Sequence, residues 1–326
     1  MKKGKVVGVS LLLLVLVLAL TACTSSPATE DGEEFVIGIS QFAEHSALDD
    51  ARLGFEEGLK ELGIDAKIVY QNAQADVATT NTIAQKFVKD KVDLIYAIAT
   101  PAAQSAKQAT HQIPVLFSAV TDPVKSEIVA DWEDVGGNVT GTSDMADVNA
   151  QLKLFKEIDP KIETIGIIYN TSEPNSEIQI EVVKQLAPGL DLAVETVGVS
   201  NINEVPQGLD SLLKKVDAIY ILSDNLIASS IELVTNKLIE NQVVSVSAEE
   251  SQVQGGILIT HGFSYYELGK QTAQMAKEIL VDGKDVSNIP VGLPEKTQVI
   301  VNKSTLKALG LDEDLTIFQE AVTVEN

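Results

Sequence analysis

The side chains best placed to do chemistry in this 326-residue chain fall in six short stretches: QFAEHS (41–46), ATPAAQ (99–104), VTDPV (120–124), YNTSEPNS (169–176), SDN (223–225) and SAEES (247–251). They bring carboxylates, amides, hydroxyls and one imidazole, groups suited to gripping a polar solute by hydrogen bonds and charge. Bond-breaking chemistry has little support, because the part after residue 34 holds no G-x-S-x-G elbow, no P-loop glycine pattern and no H-E-x-x-H. His45, His111 and His261 are the three histidines, and no pair of them has the spacing of metal ligands on a helix, so neither metal nor cofactor is expected. Each candidate also has a local role available to it. Ser46 with Asp49 reads as a helix N-cap, Asp122 in TDP as an Asx-type turn, Asp224-Asn225 as another cap, and His45 could bond an opposing part of the fold.

All six stretches follow apolar, β-branched runs. FVIGIS, AKIVYQNA, DLIYAIAT and PVLFSAV read as strands, and SALDDARLGFEEGLKELG, TTNTIAQKFVKDK and AAQSAKQAT between them read as helices. Nearly continuous apolar strands alternating with amphipathic helices predict a parallel sheet covered on both faces. After VGGNVTGTSD the rhythm restarts with TIGIIYN, LAVETVGV, VPQGLDSLLKK and DAIYILSD. Gly166 stands in the second series where Gly38 stands in the first, and KVDAIYILSDNLIASS matches KVDLIYAIATPAAQSA. Internal repetition of this kind predicts two tandem α/β lobes. In such sheets ligands bind beyond the carboxyl ends of the strands. If the lobes face each other, the six stretches line one cleft.

At the other end, Lys2, Lys3 and Lys5 precede VVGVSLLLLVLVLAL, a charged and then apolar sequence of the secretory-signal type. The single cysteine, Cys23, ends LTAC, which resembles a lipobox, where the thiol is acylated and becomes the mature N-terminus. Residues 1–22 are thus expected to be a lipoprotein signal peptide and 23–34, containing TSSPATEDGEE, a solvated tether. A thiol consumed by lipid leaves neither disulfide nor thiol nucleophile. With 47 acidic against 24 basic residues, the formal charge is −23, which disfavours nucleic acid and anionic lipid as partners.

Several blocks together carry a resemblance to a known family: EHSALDDARLGFEEGL (44–59), IYAIATPAAQSA (95–106), IPVLFSAVTDPV (113–124), VTGTSDM (139–145), GIIYNTSEPNS (166–176) and ILSDNLIAS (221–229). Between about Phe35 and Leu311 the chain resembles the ABC transporter substrate-binding family that includes bacterial tryptophan and tyrosine receptors. Many relatives have proline where Ser46 stands, a change that preserves a helix start. The resemblance implies an α/β fold of two doubly wound parallel-sheet lobes joined by a three-segment hinge, of the type I periplasmic-binding kind. Expected boundaries are 35–141 plus 263–290 for the N-terminal lobe and 142–262 plus 291–326 for the C-terminal lobe, with crossings near Thr142, Gly262 and Pro290.

The resemblance further implies a lipid-anchored protein on the outer face of the cell membrane that captures a small ligand, an aromatic amino acid first of all, and delivers it to an ABC permease and its ATPase. A nucleoside or sugar receptor, or a sensor not coupled to transport, is the alternative. The expected ligand-binding residues are Gln41, Phe42, Glu44, His45, Ser46, Thr100, Pro101, Ala102, Asp122, Tyr169, Asn170, Glu173, Asn175, Asp224 and Asn225. Within that set, an amino-acid carboxylate suits the helix starts at Ser46-Ala47, Pro101-Ala102-Ala103 and Asn175-Ser176. Its ammonium suits Glu44, Asp122, Glu173 or Asp224, with Asp122 and Asp224 preferred. Phe42 and Tyr169 are the rings expected to stack on it, ahead of Phe263, Tyr265 and Tyr266.

Overall fold

The computed structural model describes residues 34–325, so the expected signal peptide and Cys23 lie outside the described residues. The first lobe runs β1 (Phe35–Gln41), α1 (Ser46–Glu61), β2 (Ala66–Asn72), α2 (Val77–Asp90), β3 (Leu94–Ile98), α3 (Thr100–Ala109), β4 (Val115–Val120) and β5 (Val139–Ser143). Its sheet has the order β2-β1-β3-β4-β5 and is parallel throughout. Every residue of β3 and β4 is buried, which explains why their sequences are apolar but for Ser118: helices cover both faces.

In the second lobe the order along the chain is α4 (Val148–Ile158), β6 (Thr164–Asn170), α5 (Pro174–Leu186), β7 (Ala193–Val199), α6 (Val205–Leu212), β8 (Ala218–Ile221), α7 (Asn225–Ser229), α8 (Ile231–Glu240), β9 (Val244–Ser247), α9 (Glu250–Gln254) and β10 (Ile259–Gly262). After α10 (Tyr265–Leu280) come β11 (Gln298–Asn302), α11 (Lys303–Ala308), α12 (Thr316–Gln319) and β12 (Val322–Val324). The second sheet has the order β12-β11-β10-β9-β8-β6-β7. Its segment β7-β6-β8-β9 repeats the β2-β1-β3-β4 order of the first, so the internal repeat is a repeat of structure. Gly38 and Gly166 mark it, since a methyl group on either would strike the helix above: Phe87 of α2 at 2.7 Å in one case, Leu212 of α6 at 2.9 Å in the other. One departure from the all-parallel expectation is β11, which runs antiparallel to β10. It is reached after the chain returns from the first lobe, not through a βαβ crossover.

Three stretches carry the chain between the sheets. After β5 it enters α4, which packs on β9 and β10; after β10 it enters α10, which packs on α1; and near Gly292 it leaves the edge of β5 for β11. The return of α10 is tight. A Cβ on Gly54 of α1 would lie 2.0 Å from the Tyr266 carbonyl oxygen, and one on Gly269 of α10 would lie 2.1 Å from that of Ala51. Below this contact Ser118, Thr142 and Thr272 close a triangle of hydroxyl hydrogen bonds of 2.7–2.9 Å that ties β4, β5 and α10 together. Among the described residues no helix is long and apolar enough to cross a membrane.

Candidate functional site

Between the carboxyl ends of the two sheets lies a small cavity, closed down to about 10 Å³, lined from the first lobe by His45, Ala47, Leu48, Ala119 and Tyr265 and from the second by Asn175, Ser223, Asp224, Asn225, Ala228, Glu249 and Gln252, with Asp144 at the first crossing. The lobes touch around it. His45 Nε2 lies 3.1 Å from Asn225 Oδ1, Gln179 Nε2 reaches Thr121 Oγ1 at 3.4 Å, and Lys125 Nζ sits 3.5 Å from Glu181.

The second-lobe wall is built by buried carboxylates that cap short helices. Asp224 follows β8 directly and is the N-cap of α7. Its Oδ1 accepts from Ile227 N at 3.0 Å, and its Oδ2 accepts from Asn170 N at 2.7 Å and from Ser176 Oγ at 2.6 Å. Glu173, 2 % exposed, lies beneath it and accepts from Asn225 N, Leu226 N and the side-chain amides of Asn170, Asn175 and Asn225. Glu249 caps α9 through Ser251 N and Gln252 N. Burial is the leading cause that pushes the Glu249 carboxyl up to about 8. Burial first and the Glu173 charge second raise Asp224, and burial raises Asp144 against the pull of its hydrogen bond from Tyr265, 2.6 Å long. His45 moves the other way: burial lowers its pKa and keeps the imidazole neutral.

Four buried polar atoms of this cavity have no protein partner: His45 Nδ1, Asp144 Oδ1, Asn175 Oδ1 and Gln252 Oε1. The two amide oxygens are true acceptors, because their NH₂ groups are spent on carbonyls. Asn175 donates to Ser223 O at 2.9 Å and Gln252 to Leu222 O at 2.8 Å. Native interiors rarely leave such atoms unmatched, and here all four belong to residues that line one cavity.

The first-lobe wall is different. Helix α1 opens with Ala47 and Leu48 facing the cavity, and no side chain caps it. This corrects the expected Ser46–Asp49 capping box. His45 occupies the N-cap position, Ser46 is exposed on the rim with Glu44, and the Asp49 carboxylate instead accepts from Gln41 Nε2 at 2.9 Å. Helix α3 is likewise uncapped by any side chain.

Of the expected ligand contacts, His45, Asn175, Asp224 and Asn225 line the cavity. Glu44, His45 and Ser46 line the groove outside it. Gln41, Thr100, Pro101 and Ala102 are buried behind it at the ends of β1 and β3. Asp122 makes the Asx turn, its Oδ1 accepting from Val124 N at 3.1 Å and Lys125 N at 2.9 Å. Phe42 belongs to the first-lobe core and Tyr169 packs on the second. Asp144, Glu249 and Gln252 line the cavity without having been in the expected set, and Tyr265, expected only as a lesser stacking ring, lines it too. Two of them had a sequence signal: Asp144 stands in VTGTSDM and Glu249 in the strand end SAEES. Among the described residues no cluster of His, Cys, Asp and Glu could hold a metal ion.

Residues 36–325 match the family described as ABC transporter substrate binding protein. The chain belongs to that family. Its members are binding proteins of extracytoplasmic transport systems, not enzymes, and this substrate-binding protein has the two-lobed type I periplasmic-binding fold. It is 43% identical over 296 residues to a tyrosine-binding protein of Clostridioides difficile, an alignment covering 90% of this chain and 86% of that protein. A Streptococcus pneumoniae ABC domain in complex with L-Trp superimposes with a TM-score of 0.85 at 33% identity, covering 89% of this chain and 99% of that one. The ligand-free, open structure of a Clostridium difficile substrate-binding protein with adhesive properties gives 0.69 at 42% identity, covering 90% and 99%.

Proposed function

We propose that this substrate-binding protein captures an aromatic amino acid, L-tyrosine or L-tryptophan, by closing its lobes on it outside the cell, and hands it to an ABC permease and ATPase for import. The four unpartnered buried polar atoms of the cavity carry this reading. All are acceptors when His45 is neutral with its proton on Nε2, and Asp144 and Glu249 stand beside them, so the site asks for a ligand rich in donors and bearing positive charge. An ammonium group meets that demand. A carboxylate would meet the opposite one at the uncapped start of α1, whose first-turn N–H groups and dipole favour an anion. A free amino acid has both ends. Neither a nucleoside nor a sugar brings the cation.

The closing parts are residues 35–143 with 263–292, because β5 ends at Ser143 and Gly292 bridges to Thr142, and residues 144–262 with 293–325. The better superposition on the L-Trp complex than on the open relative, despite lower identity, supports a closed arrangement here. A ligand that touches both lobes only in this arrangement shifts the population toward it. Acylation of Cys23 would hold the protein at the membrane surface.

Thermal unfolding against the twenty amino acids, common nucleosides and sugars tests the assignment. L-tyrosine or L-tryptophan should raise the midpoint most, since a ligand held by the native state stabilises it by mass action. A nucleoside or sugar that did so instead would overturn it. Small-angle scattering then tests closure, and unchanged dimensions at saturation would exclude the hinge mechanism. Release of a palmitoyl-type chain from the membrane-extracted protein, and its loss in Cys23→Ala, would test the anchor.

A further inference from the structure

The imidazole of His45 is the one cavity group whose hydrogen-bonding character is not fixed by its own chemistry, because either ring nitrogen can carry the proton. Its setting decides the matter from the opposite lobe. Glu173 is acceptor-only when ionised, and it takes the Asn225 side-chain NH₂ as well as the Asn225 backbone N–H. The Asn225 amide therefore cannot turn round. Its oxygen must face His45, 3.1 Å away, and only a protonated Nε2 can bond it. In a neutral ring Nδ1 is then bare. That atom is buried, has no protein partner and belongs to a residue that lines the cavity.

We infer that Glu173, acting through Asn225, sets the tautomer of His45 across the gap between the lobes, so that closure itself creates an acceptor, His45 Nδ1, for an N–H of the bound ligand. Glu173 is on this account a positioning residue, and His45 is both a latch and a ligand contact. One ring then couples the two events: Nε2 senses the opposite lobe and Nδ1 senses the ligand. With the lobes apart, His45 loses Asn225 and either tautomer is open to it. The charged groups around the ring, Glu173, Asp49 and, on the cavity walls, Asp144, Asp224 and Glu249, are all acidic, so none competes with the ligand as a donor. The inference rests on the amino-acid reading for the identity of the ligand but not for the tautomer.

The decisive experiment reads the ring nitrogens by NMR in protein labelled with ¹⁵N at histidine, ligand-free and saturated with L-tyrosine or L-tryptophan, for the wild type and Glu173→Gln. His45 is assigned by its absence from His45→Gln. In the saturated wild type Nδ1 should resonate as an unprotonated nitrogen and Nε2 as a protonated one. A glutamine at 173 can donate to Asn225 Oδ1 and release the amide to flip, so Glu173→Gln should mix or reverse the tautomers and weaken binding about tenfold, the worth of one buried hydrogen bond. Should that variant fold poorly, His45→Gln decides. Its amide N–H can still reach Asn225 while offering nothing at the Nδ1 position, so closure by scattering should survive and affinity fall about tenfold. A protonated Nδ1 in the saturated wild type, the same His45 ring state in wild type and Glu173→Gln, or wild-type affinity in His45→Gln would overturn the inference. If no amino acid binds the wild type, the functional reading fails by itself, and the same comparison in protein locked closed by a carbodiimide cross-link between Lys125 and Glu181 still decides the tautomer.

Discussion

The two copies of the α/β unit begin some of their cleft helices in opposite ways. After β3 the chain turns through Ala99, held at φ +82°, into α3 with no side-chain cap, and after β1 it enters α1 likewise uncapped. After β8 and β9 it turns through Asp224 and Glu249, whose carboxylates close on the first N–H groups of α7 and α9. The first repeat thus offers only bare helix starts to the cleft, and the second, whose α5 is also uncapped by a side chain, adds acids and amide oxygens. Divergence of the caps, on a conserved order of strands, is what turns two similar halves into a site with a positive and a negative end.

Asp224→Ala probes the acidic side hardest. It strands Asn170 N, Ile227 N and the Ser176 hydroxyl in the interior, and should cost about 3 kcal/mol in urea unfolding. Asp144→Asn keeps the shape but removes a charge facing the cavity. Affinity for L-tyrosine or L-tryptophan by calorimetry should fall about 10- to 100-fold, with little change in melting. A smaller effect comes from pH. Glu249, near 8, is mostly protonated at neutrality, and an ammonium ligand would favour its ionised form, so binding at pH 7 should release protons and tighten several-fold from pH 6 to 8. The ligand-free protein should show the reverse trend from this group. Its folded pKa is raised from 4.5, so its contribution to stability is present below pH 4.5 and lost as pH rises through about 8. His45 works against that trend, because its lowered pKa withdraws stability as pH falls below 6.5.

On the uncapped side the effects are slight and of other sign. Ala99→Gly relieves a left-handed backbone and should stabilise by about 1 kcal/mol. Ser46→Ala should change stability by less than about 0.5 kcal/mol, since no cap bond is lost. A loss of 1 kcal/mol or more there would show that Ser46 does cap α1 in solution and would weaken the contrast.

The sequence made the strands and the repeat legible because buried parallel strands must be continuously apolar, and Gly38 and Gly166 stand where the helix presses closest. The six polar stretches were also readable, since β-strand ends in this architecture are known binding positions. What could not be read was which side chain turns inward. Asp122 and Asp224 look alike in sequence, yet one spends itself on a buried turn and the other forms part of the cavity wall. Asp144 and Tyr265 lie 121 residues apart and meet only because α10 returns to the first lobe. Phe42 and Tyr169 were expected to be stacking rings because they end strands, but both pack with core residues. Periodicity identifies buried positions and does not say whether burial is against protein or ligand.

The interlock of α1 with α10 through Gly54 and Gly269 also bears on biosynthesis. Nothing short of residue 280 contains the whole of the first lobe, so a chain emerging N-terminus first has finished all but the last strands of its second lobe before the first can seal. Until then the glycine-lined face of α1 is unclad. A polypeptide destined to thread a secretion pore gains from such lateness, because it stays pliable until nearly its full length is through.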